Sequence, residues 1–82
     1  MPMFTFQERW KEELVCTGPG GRFVIQLSMG ILSAYLPTEA EWKQRGPVWA
    51  RDLWPQVKAE LEQWCIANKA QFFIEPNAFV YE

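Results

Sequence analysis

An 82-residue chain with 49% hydrophobic and 22% charged residues is too short for two domains and too apolar for disorder. Its net charge of −2, with no basic run, argues against a nucleic-acid binder, because phosphate contacts need clustered Lys and Arg. It has no histidine and only two cysteines, Cys16 and Cys65, in no metal-ligand spacing, so the commonest general base and the usual metal clusters are missing.

The N-terminal segment carries two conflicting signals. Thr5 with Glu8 is a capping-box pattern, and Phe6, Trp10 and Leu14 recur at helical spacing. The run Glu13-Leu14-Val15-Cys16-Thr17 reads as strand. The compromise is a helical turn or loop near residues 5–11 followed by a strand around 12–17. Glu8 stands early and no apolar core region follows, so no signal peptide is expected. With two independent thiols, a reduced, cytoplasmic setting is the expectation.

Thr17-Gly18-Pro19-Gly20-Gly21 separates two β-prone runs and predicts a hairpin loop. A phosphate cradle would instead need a helix after the loop, and Pro19 removes one amide donor. In the next run Phe23, Ile25 and Leu27 alternate with Arg22, Gln26 and Ser28, which predicts a half-buried strand. Met29-Gly30 predicts a tight turn. Leu32, Ala34 and Leu36 then face the core, Ser33 and Tyr35 face outward, and Pro37 ends the strand. The uncharged stretch from Phe23 to Thr38 is too short and too polar to span a bilayer.

Thr38 through Glu41 forms a second capping box with acids in the first turn, predicting a short helix that Gly46-Pro47 stops. A longer helix follows. Leu53, Trp54, Val57, Leu61, Trp64 and Cys65 share an arc with Trp49, and Arg51, Lys58 and Glu62 lie opposite. Glu60 is a charge inside the apolar arc and Ile66 an apolar residue outside it. Pro55 is placed in the first turn with Asp52 as N-cap, in preference to a mid-helix kink. Asn68-Lys69 closes the helix, Gln71 to Glu75 predicts a last strand, and Ala78 to Tyr81 either pairs as a further strand or docks on a neighbour. The fold expected is α+β: a single domain, residues 1–82, of order β-β-β-α-α-β. Its three- to four-stranded, mainly antiparallel sheet is covered on one face by one short and one longer helix.

Candidate chemistry is sparse. A thiol nucleophile needs a base, a cation or a helix N-terminus, and Cys65 falls near a helix C-terminus. Cys16 stands near Arg22 across the hairpin, and both cysteines read best as small buried hydrophobes. Among the carboxylates, Glu60 alone is expected beside an apolar surface, where a raised pKa is conceivable; pairing with a neighbouring base at the edge of the arc is the simpler reading. No catalytic residue, cofactor or metal is assigned.

The aromatics are the outlier, at 16% of the chain: six Phe, five Trp and two Tyr. Trp49, Leu53, Val57, Leu61 and Trp64 packing on Phe23, Ile25, Leu27, Phe72 and Ile74 would form the core. One small core is expected to leave some rings outside, and the candidates are Tyr35, Trp42, Trp54, Phe73, Phe79 and Tyr81. An interaction surface is therefore expected at Tyr35, Trp42, Trp54, Phe79 and Tyr81. The function expected is non-enzymatic contact with a protein partner or a second copy. The alternatives are a small-molecule binder with an aromatic pocket between helix and sheet, and a minimal enzyme using Cys16 or Glu60.

Overall fold

Alternation of apolar and polar side chains in the central strand sorts the molecule into a covered and an open side. The computed structural model of the protein describes residues 2–10 and 12–82. In chain order the elements are β1 (Thr5–Arg9), β2 (Glu13–Gly18), β3 (Gly21–Ser28), β4 (Ser33–Leu36), α1 (Glu39–Arg45), a 3-10 turn (Val48–Leu53), α2 (Trp54–Ala67), β5 (Gln71–Ile74) and β6 (Val80–Tyr81). The described residues form one sheet in the order β1-β2-β3-β4-β5, with β6 joining β3. This is a mixed α+β sheet of six strands, larger than the three or four expected.

The core follows from the predicted alternation. Leu14 and Cys16 of β2, Phe23, Ile25 and Leu27 of β3, and Ala34 and Leu36 of β4 are buried together. The helices cover this face with Trp42, Ala50, Val57, Leu61 and Cys65, and with the partly buried Trp49, Leu53, Trp54 and Trp64. Each buried indole whose ring sits deep has a partner for its N–H. Trp42 Nε1 donates to the Ala50 carbonyl at 2.8 Å, and Trp54 Nε1 donates to the Pro37 carbonyl at 2.9 Å.

Three expectations are corrected. Residues 5–9 are strand, not helical turn; position 11 lies outside the described residues. Phe6 pairs with Cys16 and places its ring 6.3 Å from that of Trp64, and a full antiparallel ladder with β2 satisfies more backbone groups than one isolated turn could. Trp10 therefore leaves the supposed stripe: it sits at the turn after β1 with φ of 57° and is 80% exposed. The last long strand is parallel to its neighbour, not antiparallel. The helices carry the chain back over the sheet, so β5 enters in the same direction as β4, with Ala34 beside Phe72 and Leu36 beside Ile74. Finally, Leu53 and not Asp52 occupies the α2 N-cap, with no side-chain capping bond, because the 3-10 turn runs directly into the helix. Pro55 does stand in the first turn, where its missing N–H costs no bond.

Other local signals act as read. Thr38 caps α1, its Oγ1 accepting from Glu41 N at 3.3 Å, and Gly46 ends the helix. Asn68 closes α2. The β2–β3 connection is a tight hairpin with Gly18 opposite Gly21. Gly21 needs its positive φ of 147°, while Gly20 is required for a different reason: a Cβ there would lie 2.7 Å from the Trp49 ring.

Candidate functional site

β-strand pairing dictates which side chains share the open face. Tyr35 of β4 is paired with Phe73 of β5, and their rings stack with centroids 5.4 Å apart and planes 19° from parallel. Tyr81 of β6 is paired with Val24 of β3, and its ring lies 5.8 Å from that of Phe79. Phe73 and Tyr81 remain 39% and 41% exposed, and Tyr35 and Phe79 are half-buried. The helices lie on the other side, so among the described residues no helix covers these rings.

The C-terminal segment bearing Phe79 and Tyr81 is tied down at several points. Arg45 at the end of α1 donates to the Ala78 carbonyl at 3.1 Å and the Pro76 carbonyl at 2.9 Å, while its Nε holds Glu41 at 2.9 Å. The Gln26 side-chain oxygen accepts from Phe79 N at 3.4 Å, and Ala78 is buried. Tyr81 donates its phenol to the Glu13 carboxylate, which also receives Arg9 Nε at 2.9 Å. Acceptance from Tyr81 is the main force holding the Glu13 carboxyl below its ordinary range, and the same bond raises the Tyr81 phenol; Glu13 likewise raises Arg9. A short network across β1, β2 and β6 thus pins the tail to the sheet. Between Tyr35 and Phe79 lies a cleft of about 410 Å³, lined also by Glu12, Gln26, Leu27, Ser28, Met29 and Gly30.

The other titratable candidates serve the fold. Burial drives the Cys16 thiol well above its usual pKa, and burial with help from Glu62 raises Cys65 to about 11, so neither is poised as a thiolate at neutral pH. Glu60 is corrected from the expected base pairing. Desolvation pushes its carboxyl up, but hydrogen bonds from Gln56 and from the amides of Met3 and Phe4 outweigh that push and hold it below the usual range. The charge inside the apolar arc is the acceptor that anchors the N-terminal segment, with Phe4 buried behind it. Among the described residues no group of three or more His, Cys, Asp or Glu is placed to hold a metal. Among them too, no helix is long and apolar enough to cross a membrane.

Comparison of the chain with protein-family models, with curated proteins and with solved structures finds no match. Its residues must speak for themselves.

The structure separates the predicted surface residues into two groups. Tyr35, Phe79 and Tyr81 come together on the open face, joined by Phe73. Trp42 does not belong to any surface: it is fully buried, edge-on to Phe23 at 5.1 Å, because α1 turns its apolar side onto β3. Trp54 is half-buried on the covered face and held by its bond to Pro37. Between helix and sheet the core side chains pack on one another, and the cleft described above lies on the rim of the opposite face. Sequence reasoning missed Trp10, whose exposure could have been inferred from the charged Glu8 and Arg9 beside it once a hairpin was assumed.

Proposed function

We propose that this chain is a non-enzymatic contact domain that meets a protein partner through the open face of its sheet. The observation that carries the reading is the row Phe73, Tyr35, Phe79 and Tyr81 on a side no helix covers. Amphipathic rings on rigid strands provide contact area at little entropic cost, and solvent-facing aromatic clusters are where protein contacts concentrate their energy. The same rings would stack nucleobases, but phosphate binding asks for clustered free cations; on this face Arg9 is engaged by Glu13 and Arg22 stands apart at the hairpin end of β3. A cytoplasmic setting accords with the two unpaired, buried thiols.

The test is comparative. Immobilised wild-type chain and a Tyr35→Ala/Phe79→Ala double variant meet the same cell lysate, with circular dichroism checking that both remain folded. Recovery of a defined protein by the wild type, reduced at least about tenfold in the variant, supports the reading, since a hot-spot pair is worth 1.4 kcal/mol or more. Equal recovery by both, or none by either, counts against it.

The cleft favours one second reading, a small polar or aromatic ligand seated between Tyr35 and Phe79 with Gln26 and Glu12 as polar partners. A ligand of that kind raises the melting temperature as its concentration rises, and Gln26→Leu removes the effect. A screen in which no compound shifts the transition sets this reading aside.

A further inference from the structure

The strand at one border of the open face turns part of its main chain away from the sheet. β5 has β4 as its neighbour on one side. Gln71 N donates to the Leu32 carbonyl at 2.8 Å and Glu75 N to the Leu36 carbonyl at 2.9 Å, so residues 71, 73 and 75 direct their backbone groups toward β4. With a period of two, Phe72 and Ile74 direct theirs outward. The border is also apolar. Phe73 and Ile74 are 39% and 37% exposed, and Gln71-Phe72-Phe73-Ile74 contains no charge. The opposite border, β1, carries Glu8 and Arg9, the kind of side chain that discourages strand addition.

We propose that β5 pairs antiparallel with β5 of a second copy, with Phe73 on the two-fold axis. This rests on the reading that the chain works by protein contact, and names the chain itself as one such partner. The register follows from the hydrogen bonds. An axis at Phe73 sets Phe72 against the partner's Ile74 and Ile74 against the partner's Phe72, and each pair exchanges both its bonds, leaving no outward group unmet. An axis at Phe72 would require the Ala70 N–H, which already donates to the Cys65 carbonyl at 2.8 Å. An axis at Ile74 would require an N–H from Pro76, which has none.

Side chains agree with this register. Paired residues share a face, so Phe73 meets the partner's Phe73 on the open side and extends the Tyr35 stack across the axis. Gln71 faces the partner's Glu75, amide to carboxylate, with no like charges opposed. Phe72 and Ile74 meet on the covered side, where Ile74 has unfilled exposure. The strand is four residues long, so the interface belongs with the small, reversible ones, and the association depends on concentration.

Sedimentation equilibrium of the full chain, from about 10 µM to 1 mM, tests it. The mass should rise from 9.6 kDa toward twice that value. Phe73→Lys opposes two ammonium groups at the axis on an exposed position, and should hold the mass at one chain while the protein stays folded. Phe73→Cys should form an interchain disulfide under mild oxidation, since a non-hydrogen-bonded pair sets its Cα atoms about 4.5 Å apart. Gln71→Cys, whose own copy lies several residues away in this register, should cross-link at least about tenfold more slowly; Cys16 and Cys65 are buried in both variants. A wild-type mass of one chain throughout, or cross-linking of Gln71→Cys as fast as Phe73→Cys, overturns the proposal. A monomer that still captures a lysate protein through Tyr35 and Phe79 removes the pairing and leaves the contact reading standing. A dimer that captures nothing supports the pairing and removes the other.

Discussion

The covered and open faces of this sheet both carry aromatic rings, and they hold them in opposite ways. On the covered face Trp42 is enclosed, edge-on to Phe23 and bonded to Ala50, so its ring has one position. On the open face Tyr35 lies flat on Phe73 and Phe79 leans on Tyr81, each pair sheltering one surface and leaving the other to water. The first arrangement encloses its apolar area within the fold, and the second leaves part of its apolar area exposed. The difference is one of support: helices press on one side, while a single tail held by Arg45, Gln26 and Glu13 borders the other.

Truncating one ring on each side is the most direct way to break this contrast. Trp42→Ala should cost about 3–5 kcal/mol, since it opens a cavity in the core and removes the Nε1–H that donates to the Ala50 carbonyl. That is a large part of the roughly 4–12 kcal/mol expected for a chain of this length, and urea unfolding should show the midpoint fall in proportion while the m-value stays the same. Phe73→Ala should cost about 1 kcal/mol, the worth of a stacked, half-exposed ring pair. Equal losses at the two positions would mean that the open face is structural.

Glycine substitutions sharpen the same contrast at smaller cost. Gly20→Ala drives a methyl group into Trp49 and should lose about 1–3 kcal/mol, whereas Gly30→Ala meets nothing within 4 Å and should be neutral within about 0.5 kcal/mol. Thermal melts of the pair would read the difference. Glu60→Ala removes the acceptor for the Met3 and Phe4 amides and should cost about 1 kcal/mol, a surface-discounted value, with hydrogen exchange quickening at those amides.

The smallest effect is in pH. The Glu13 carboxyl is held low, so its share of tail docking is present above the ordinary carboxylate range and fades as pH falls through the folded value. The Tyr81 phenol is held high, so its share is present below the ordinary phenol range and fades as pH rises through the folded value. Exchange protection of the Val80 and Tyr81 amides should therefore be greatest between those two limits. Protection that does not vary with pH would show that Arg45 and Gln26 hold the tail without help from this network.

Much of the covered face was legible in the residues. Phe23, Ile25 and Leu27 alternate, Val57, Leu61 and Cys65 recur at helical spacing, and Thr38, Gly46 and Pro55 mark helix ends by rules that act within a few bonds. The candidate site was legible in part. Tyr35, Phe79 and Tyr81 were expected outside, but Trp42 was expected there too, and nothing local distinguishes a ring that α1 turns inward from one that a strand turns outward. Thr5, Glu8 and the Phe6–Trp10–Leu14 spacing favoured a helical turn until β2 offered β1 a complete ladder.

Composition and local pattern alone determined that this is a small α+β domain with an aromatic excess, a strong central strand, a capped short helix and a longer amphipathic one. Tertiary structure alone decided that β5 runs parallel to β4, that β6 returns to β3, and that Phe73 joins Tyr35 while Trp42 is enclosed. The physical reason is range. Periodicity and capping are set by neighbours along the chain, whereas strand partners, and with them the side of the sheet on which a ring meets water, are chosen by contacts between residues far apart in sequence.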